Sequence, residues 1–208
     1  MLLDDELIGD ACRLAATALV QSGESMGLTI LAIGMGGGTT EQLLGKRARH
    51  LTFASDALKA IGIAFGGEAE KLVTHVEREL SGGKCVGAIG FSLSASFLLQ
   101  AASRSANFPS RLVAISPSLW AEGAAEDAAS DWLSSSDTAQ LKLAVGGEEK
   151  DRELTGDTLH MHERVERLGT QLEQQFGSRS CLAVLPEETH YTAPIAAMPA
   201  ALRWILRD

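Results

Sequence analysis

The chain has little of several things, and each shortage excludes something. Cysteine occurs three times, at Cys12, Cys85 and Cys181, an odd number without paired spacing. That excludes a disulfide framework or a cysteine zinc site and predicts reduced, mostly buried thiols. No apolar run reaches the roughly 18 residues that a spanning helix needs. The first residues, Met1-Leu2-Leu3-Asp4-Asp5-Glu6, lack the basic segment of a secretion signal, so a cytoplasmic location is the default expectation, with no membrane partner. Basic residues are also short: 18 against 27 acidic ones, a net charge of −9. A nucleic-acid binder carries a basic footprint, and this chain has none. The one basic cluster, Lys46-Arg47-Ala48-Arg49-His50, reads as a solvated loop, or alternatively as a local anion site. Aromatics make up 5% of the residues and are too scattered to outline a pocket.

What is present suits one globular domain over 1–208. Short apolar runs bounded by Gly, Pro or Ser alternate with amphipathic stretches. The runs are Leu28 to Ile33, Val86 to Ile89, Leu112 to Ile115, Leu141 to Val145 and Leu182 to Leu185. Such runs are what strands covered on both faces look like. Helices are expected over Asp10 to Gln21, with Leu14, Ala18 and Leu19 on one face, and over Glu68 to Leu80. Others are expected over Phe97 to Ser105, Thr158 to Phe176 and Pro194 to Leu206. Alternation of this kind implies an α/β fold with a mainly parallel sheet. The Ala-, Ser- and acid-rich segment 121–136 reads as a surface excursion, placed where a lid would lie. The glycines of Gly34 to Gly38 fit neither a dinucleotide fingerprint nor a P-loop, so a flexible loop is expected and no cofactor or metal.

One segment carries chemistry. Gly90-Phe91-Ser92-Leu93-Ser94 follows the run ending at Ile89 and nearly matches the nucleophile elbow G-x-S-x-G, with Ser94 in place of the second glycine. In that elbow a strand turns sharply into a helix and presents a serine hydroxyl at the crest. Open parallel sheets bind ligands past the carboxyl ends of their strands. Glu148, Glu149 and Asp151 follow one later strand, and His190 follows the last. Serine, acid, histidine is a known chain order for this elbow. Histidine would take the serine proton and return it to the leaving group, and a carboxylate would orient the imidazole. The amide of Leu93 and one near Asp5 are the expected oxyanion donors. The bland alternatives are a serine in a tight turn and a loop histidine. His75 and His162, on helical stretches, read as packing or surface residues.

Together these segments resemble the esterase D-like branch of the α/β-hydrolases, especially the enterobactin (siderophore) esterases. Leu2-Leu3-Asp4-Asp5 is similar to the family's Leu-Asp-Gly segment, and Arg47-Ala48-Arg49-His50-Leu51-Thr52 to its R-x-R-D-L-T. Ser116-Pro117-Ser118-Leu119-Trp120 is close to S-P-S-x-W, and Val145-Gly146-Gly147-Glu148-Glu149 to V-G-x-x-E. His190-Tyr191-Thr192-Ala193-Pro194 resembles H-x-S-x-P. The resemblance implies an α/β-hydrolase fold with Ser92 as nucleophile, His190 as base and Glu149 as the favoured acid, although some relatives use a Ser-His dyad. It also implies that Arg47 contacts an anionic or catechol-like substrate group. The departures are Ser94 and Ala95 at the elbow, where crowding is expected, Asp5 at an oxyanion glycine, and His50 for the motif Asp. The family's first strands have no counterpart before Leu2, so an open sheet edge covered by a second copy is expected. An acyl-serine hydrolase of esters, lactones or thioesters is one implied function. A hydrolase fold without hydrolysis, serving as a cyclase or a binding protein, is the other.

Overall fold

The computed structural model describes residues 1–25, 27–63, 65–83, 85–150 and 160–207. Six strands form one sheet: β1 (Leu2–Leu3), β2 (Ala32–Ile33), β3 (Ala88–Phe91), β4 (Arg111–Ile115), β5 (Gln140–Gly146) and β6 (Ser180–Leu185). Their order is β2-β1-β3-β4-β5-β6, and every pairing is parallel. Among the described residues seven α-helices flank them: α1 (Asp5–Gln21), α2 (Thr40–His50), α3 (Ala69–Leu80), α4 (Leu93–Arg104), α5 (Ala124–Ser135), α6 (Met161–Phe176) and α7 (Ala193–Leu206).

Alternation along each strand divides the core in two, because successive side chains point to opposite faces. Leu112 and Ala114 of β4 join Phe97, Val73, Leu133 and Leu168 on the face covered by α2 to α6. Val113 and Ile115 join Ile8, Cys12, Met198 and Leu202 on the face covered by α1 and α7. The expected α/β architecture with a parallel, doubly covered sheet is the one observed. Among the described residues β2 pairs with β1 alone and forms one edge. Among the described residues, no helix is long and apolar enough to cross a membrane.

Three local expectations are corrected. α1 begins at Asp5, not Asp10, and its buried stripe is Ile8, Cys12, Ala15, Ala16 and Leu19. Ile8 sets the phase of that stripe, which leaves Leu14 75% exposed. The basic cluster at 46–50 is not a solvated loop but the last turn of α2. A capping box starts that helix: the Gln42 amide donates to Thr39 Oγ1 and the Thr39 amide to Gln42 Oε1. Residues 121–136 are not an excursion. They contain α5, whose Ala125, Ala129, Trp132 and Leu133 are buried with α4 and α6 in the larger half of the core. Alanine makes a faint apolar stripe, but it is the best helix former, and Glu126 and Asp127 suit a first turn.

Candidate active site

The elbow stands between β3 and α4. Ser92 has φ 57° and ψ −120°, a left-handed conformation that residues with a side chain seldom adopt. Neighbouring strand ends hold it there. The Ser92 amide donates to Ile115 O at 2.9 Å, and the Ser118 amide donates to Ser92 O at 3.2 Å. Gly90 lets the backbone of Ser94 and Ala95 pass close to the end of β3. A Cβ on Gly90 would lie 2.7 Å from Ser94 O and 2.9 Å from the Ala95 nitrogen. Ser94 itself is fully buried and satisfied: its Oγ accepts from the Phe91 amide at 3.0 Å and donates to Phe91 O at 2.8 Å.

The ends of β3, β5 and β6 converge on one relay. His190 Nε2 lies 3.1 Å from Ser92 Oγ, and His190 Nδ1 lies 3.1 Å from Glu149 Oε2. A carboxylate only accepts, so Nδ1 carries the ring proton and Nε2 accepts from the serine. Glu149 is 4% exposed, and its Oε1 accepts from Ser116 Oγ at 2.5 Å and from the Gly146 amide at 2.8 Å. Of the two described carboxylates considered, Glu148 and Glu149, it is Glu149 that contacts His190. Glu148 contributes its amide, which donates to Glu188 O at 3.0 Å, and Asp151 lies outside the described residues. Gly146 allows this loop to close on the His190 segment, since a Cβ there would sit 2.2 Å from Glu188 O. The Phe91 ring packs against the imidazole, with centroids 4.8 Å apart.

The candidate oxyanion donors open two helices at adjacent strand ends. Leu93 is the first residue of α4 and Asp5 the first of α1, so neither amide has an intrahelical acceptor. The Asp5 carboxylate bonds Arg13 at 2.7 Å. Asp4, just before it, is fully buried with φ 73°. Arg47 Nε donates to Asp4 Oδ2 at 2.9 Å, and Nη2 lies 2.7 Å from the same oxygen, outside hydrogen-bonding geometry. Burial leaves the Asp4 carboxyl above the usual aspartate range, a rise that the adjoining guanidinium only partly offsets. Arg47, itself 7% exposed, therefore reaches the site already facing a carboxyl, with its Nη2 making no hydrogen bond.

Ser92 and His190 line a cavity of about 390 Å³ between the strand ends, α2 and the 58–63 segment.

No family model and no curated protein matches this sequence. Solved structures do. The siderophore hydrolase EstA from Aspergillus nidulans is 20% identical with a TM-score of 0.72, over 99% of this chain and 82% of that one. The BES protein from Bacillus cereus is 19% identical with a TM-score of 0.76, over 100% and 83%. An IroE-like serine hydrolase from Shewanella oneidensis is 16% identical with a TM-score of 0.67, over 98% and 68%. This chain has the α/β-hydrolase fold.

Within that hydrolase fold, sequence reasoning passed over three contributors. Ser116 holds Glu149, and Ser118 Oγ lies 3.2 Å from Ser92 Oγ. Both follow the carboxyl end of β4, so the strand-end rule that singled out Ser92 also pointed to them. His162 reads from sequence as a packing or surface residue. It is buried, and its Nδ1 lies 2.9 Å from Gly146 O, steadying the loop that carries the acid.

Proposed function

We propose that this protein is a serine hydrolase that cleaves a carboxylic ester, lactone or thioester through an acyl-serine intermediate. The observation that carries the reading is the Glu149–His190–Ser92 relay, with both contacts at 3.1 Å, set on a strained elbow. His190 Nε2 takes the hydroxyl proton as Ser92 Oγ bonds the carbonyl carbon. The oxyanion that forms accepts from the Leu93 and Asp5 amides. Collapse of the tetrahedral species breaks the bond to the leaving group, and that group receives the proton from His190. Water then repeats the sequence on the acyl-serine, releasing the acid and restoring Ser92. Glu149 stays ionised and stabilises the imidazolium. Ser118 Oγ donates to Ser92 Oγ and fixes its rotamer. Arg47 anchors Asp4 and with it the first turn of α1, which carries the Asp5 amide.

The similar Aspergillus protein is a siderophore hydrolase, and hydrolysis is the part of that description we carry over. The unpaired side of β2 leaves that edge open to a second copy, which light scattering at micromolar concentration would register as a dimer. The deciding experiment is labelling with a fluorophosphonate together with p-nitrophenyl ester turnover. Ser92→Ala should abolish labelling and lower kcat by a factor on the order of 10⁴ or more. An unlabelled wild type, or a Ser92→Ala protein as active as wild type, would refute the mechanism.

A further inference from the structure

The wall of the cavity beside Ser92 bears on which acid the enzyme releases. That wall is built from Leu43, Leu58, Ile61, Ile63, Leu93 and Trp120, all apolar in body. Among the described residues its polar groups, apart from the reacting serine–histidine cluster, are Thr40, the Tyr191 hydroxyl, Arg47 and the Trp120 indole N–H, which has no partner and can donate to the acyl or leaving-group oxygen. Arg47 is the cation an anionic substrate would need, and the Asp4 carboxyl already lies 2.7 Å from its Nη2, although that Nη2 makes no hydrogen bond. An incoming carboxylate or catecholate would lose its water and share the guanidinium with a carboxyl already beside it.

The mouth carries the same character. Leu7, Leu44, Ile61 and Tyr191 are 45%, 47%, 36% and 63% exposed, and all four belong to this one cavity. Isolated exposed apolar residues are ordinary, but a collar of them around a cavity entrance marks a surface for an apolar group. The volume, about 390 Å³, falls at the lower end of the roughly 300–1,000 Å³ of ligand sites.

We infer that this cavity receives the hydrocarbon chain of a neutral acyl group, in preference to a short, anionic or polyhydroxylated one. The inference rests on the serine-hydrolase reading above and specifies its substrate class. Each methylene moved from water into such a wall raises kcat/KM by up to about fourfold. Four added methylenes therefore set a ceiling of roughly 250-fold between an acetyl and a hexanoyl ester.

The test compares p-nitrophenyl acetate, p-nitrophenyl hexanoate and the mono-p-nitrophenyl ester of adipic acid, which ends a six-carbon acyl chain in a carboxylate. A kcat/KM for hexanoate at least tenfold above both others is the expected result, and anything smaller overturns the inference. A second arm separates this failure from failure of the hydrolase reading. In Ser92→Ala protein, the Trp120 indole N–H resonance is followed during titration with methyl hexanoate and with monomethyl adipate. If wild type neither turns over esters nor takes the fluorophosphonate, the hydrolase reading fails. Selective binding of methyl hexanoate to Ser92→Ala would still support the apolar cavity. Equal binding of the two, or binding of neither, would overturn it.

Discussion

Ser92→Gly should give a more stable protein than Ser92→Ala. Both substitutions remove the hydroxyl, and with it the contacts at 3.1 Å to His190 and 3.2 Å to Ser118. Those losses, about 0.5–1.5 kcal/mol each, are common to the two variants and cancel in the comparison. What differs is the backbone. A Cβ at φ 57° and ψ −120° stores about 1–3 kcal/mol of strain, and alanine keeps that Cβ while glycine does not. Glycine loses more chain entropy on folding, which returns about 0.4–1 kcal/mol. The balance favours Ser92→Gly by about 1 kcal/mol, or about 2–4 °C in Tm for a domain of this size. Thermal melts and urea titrations of both variants measure the difference, and neither should hydrolyse esters. If Ser92→Ala melts at or above Ser92→Gly, the elbow is not strained and the reasoning fails.

Other perturbations follow from the same geometry. Glu149→Gln should keep the fold but lower kcat by about 10³–10⁴, since an amide neither selects the productive tautomer nor stabilises the imidazolium; a loss below tenfold would make a Ser-His dyad sufficient. Arg47→Met leaves Asp4 buried and unpaired, and should lower stability by about 3–5 kcal/mol, with Asp4→Asn/Arg47→Met recovering much of it in denaturant titrations. A double variant no better than the single would refute that pairing. Glu24 is held down at about 2, against an ordinary 4.5, by hydrogen bonds from Arg203 and then Ser22. The stability this supplies is complete above the ordinary value and is lost as pH falls toward the lower one. The Tm gap between wild type and Glu24→Gln should therefore shrink from pH 5 to pH 2, and a gap that widens would contradict the assignment.

The central strands were legible because burial on both faces leaves plain apolar runs, whereas β1 is too short to make one and the run Leu28 to Ile33 yields only the two residues of β2. β4 and β5 lie within one residue of the expected runs at each end. The elbow was legible for a related reason: strand, turn and helix are contiguous, so Gly90 and Ser92 carry the geometry locally. α6 showed itself through the period of His162, Val165, Leu168 and Leu172. The harder features depend on contacts far apart in the chain. Asp4 and Arg47 are 43 positions apart, and nothing beside either residue announces the other. α2 was obscured by the glycine run before it, although Thr39 and Gln42 spelled its cap. α5 was obscured because its buried face is largely alanine. Glu149 rather than Glu148 could be favoured only by resemblance, because both stand in one short turn and only the three-dimensional path decides which faces His190.

The relay draws on the ends of β3, β5 and β6, and Ser92 and His190 are 98 residues apart. No contiguous fragment holding only part of the β3-to-β6 half of the sheet contains all three groups. A parallel sheet gains each strand through a crossover, so these long-range pairings form late and together. Under the proposed mechanism, catalytic competence would thus depend on completion of the β3-to-β6 part of the sheet. During refolding, ester turnover would report arrival of the last strand, while helix content would report much earlier events.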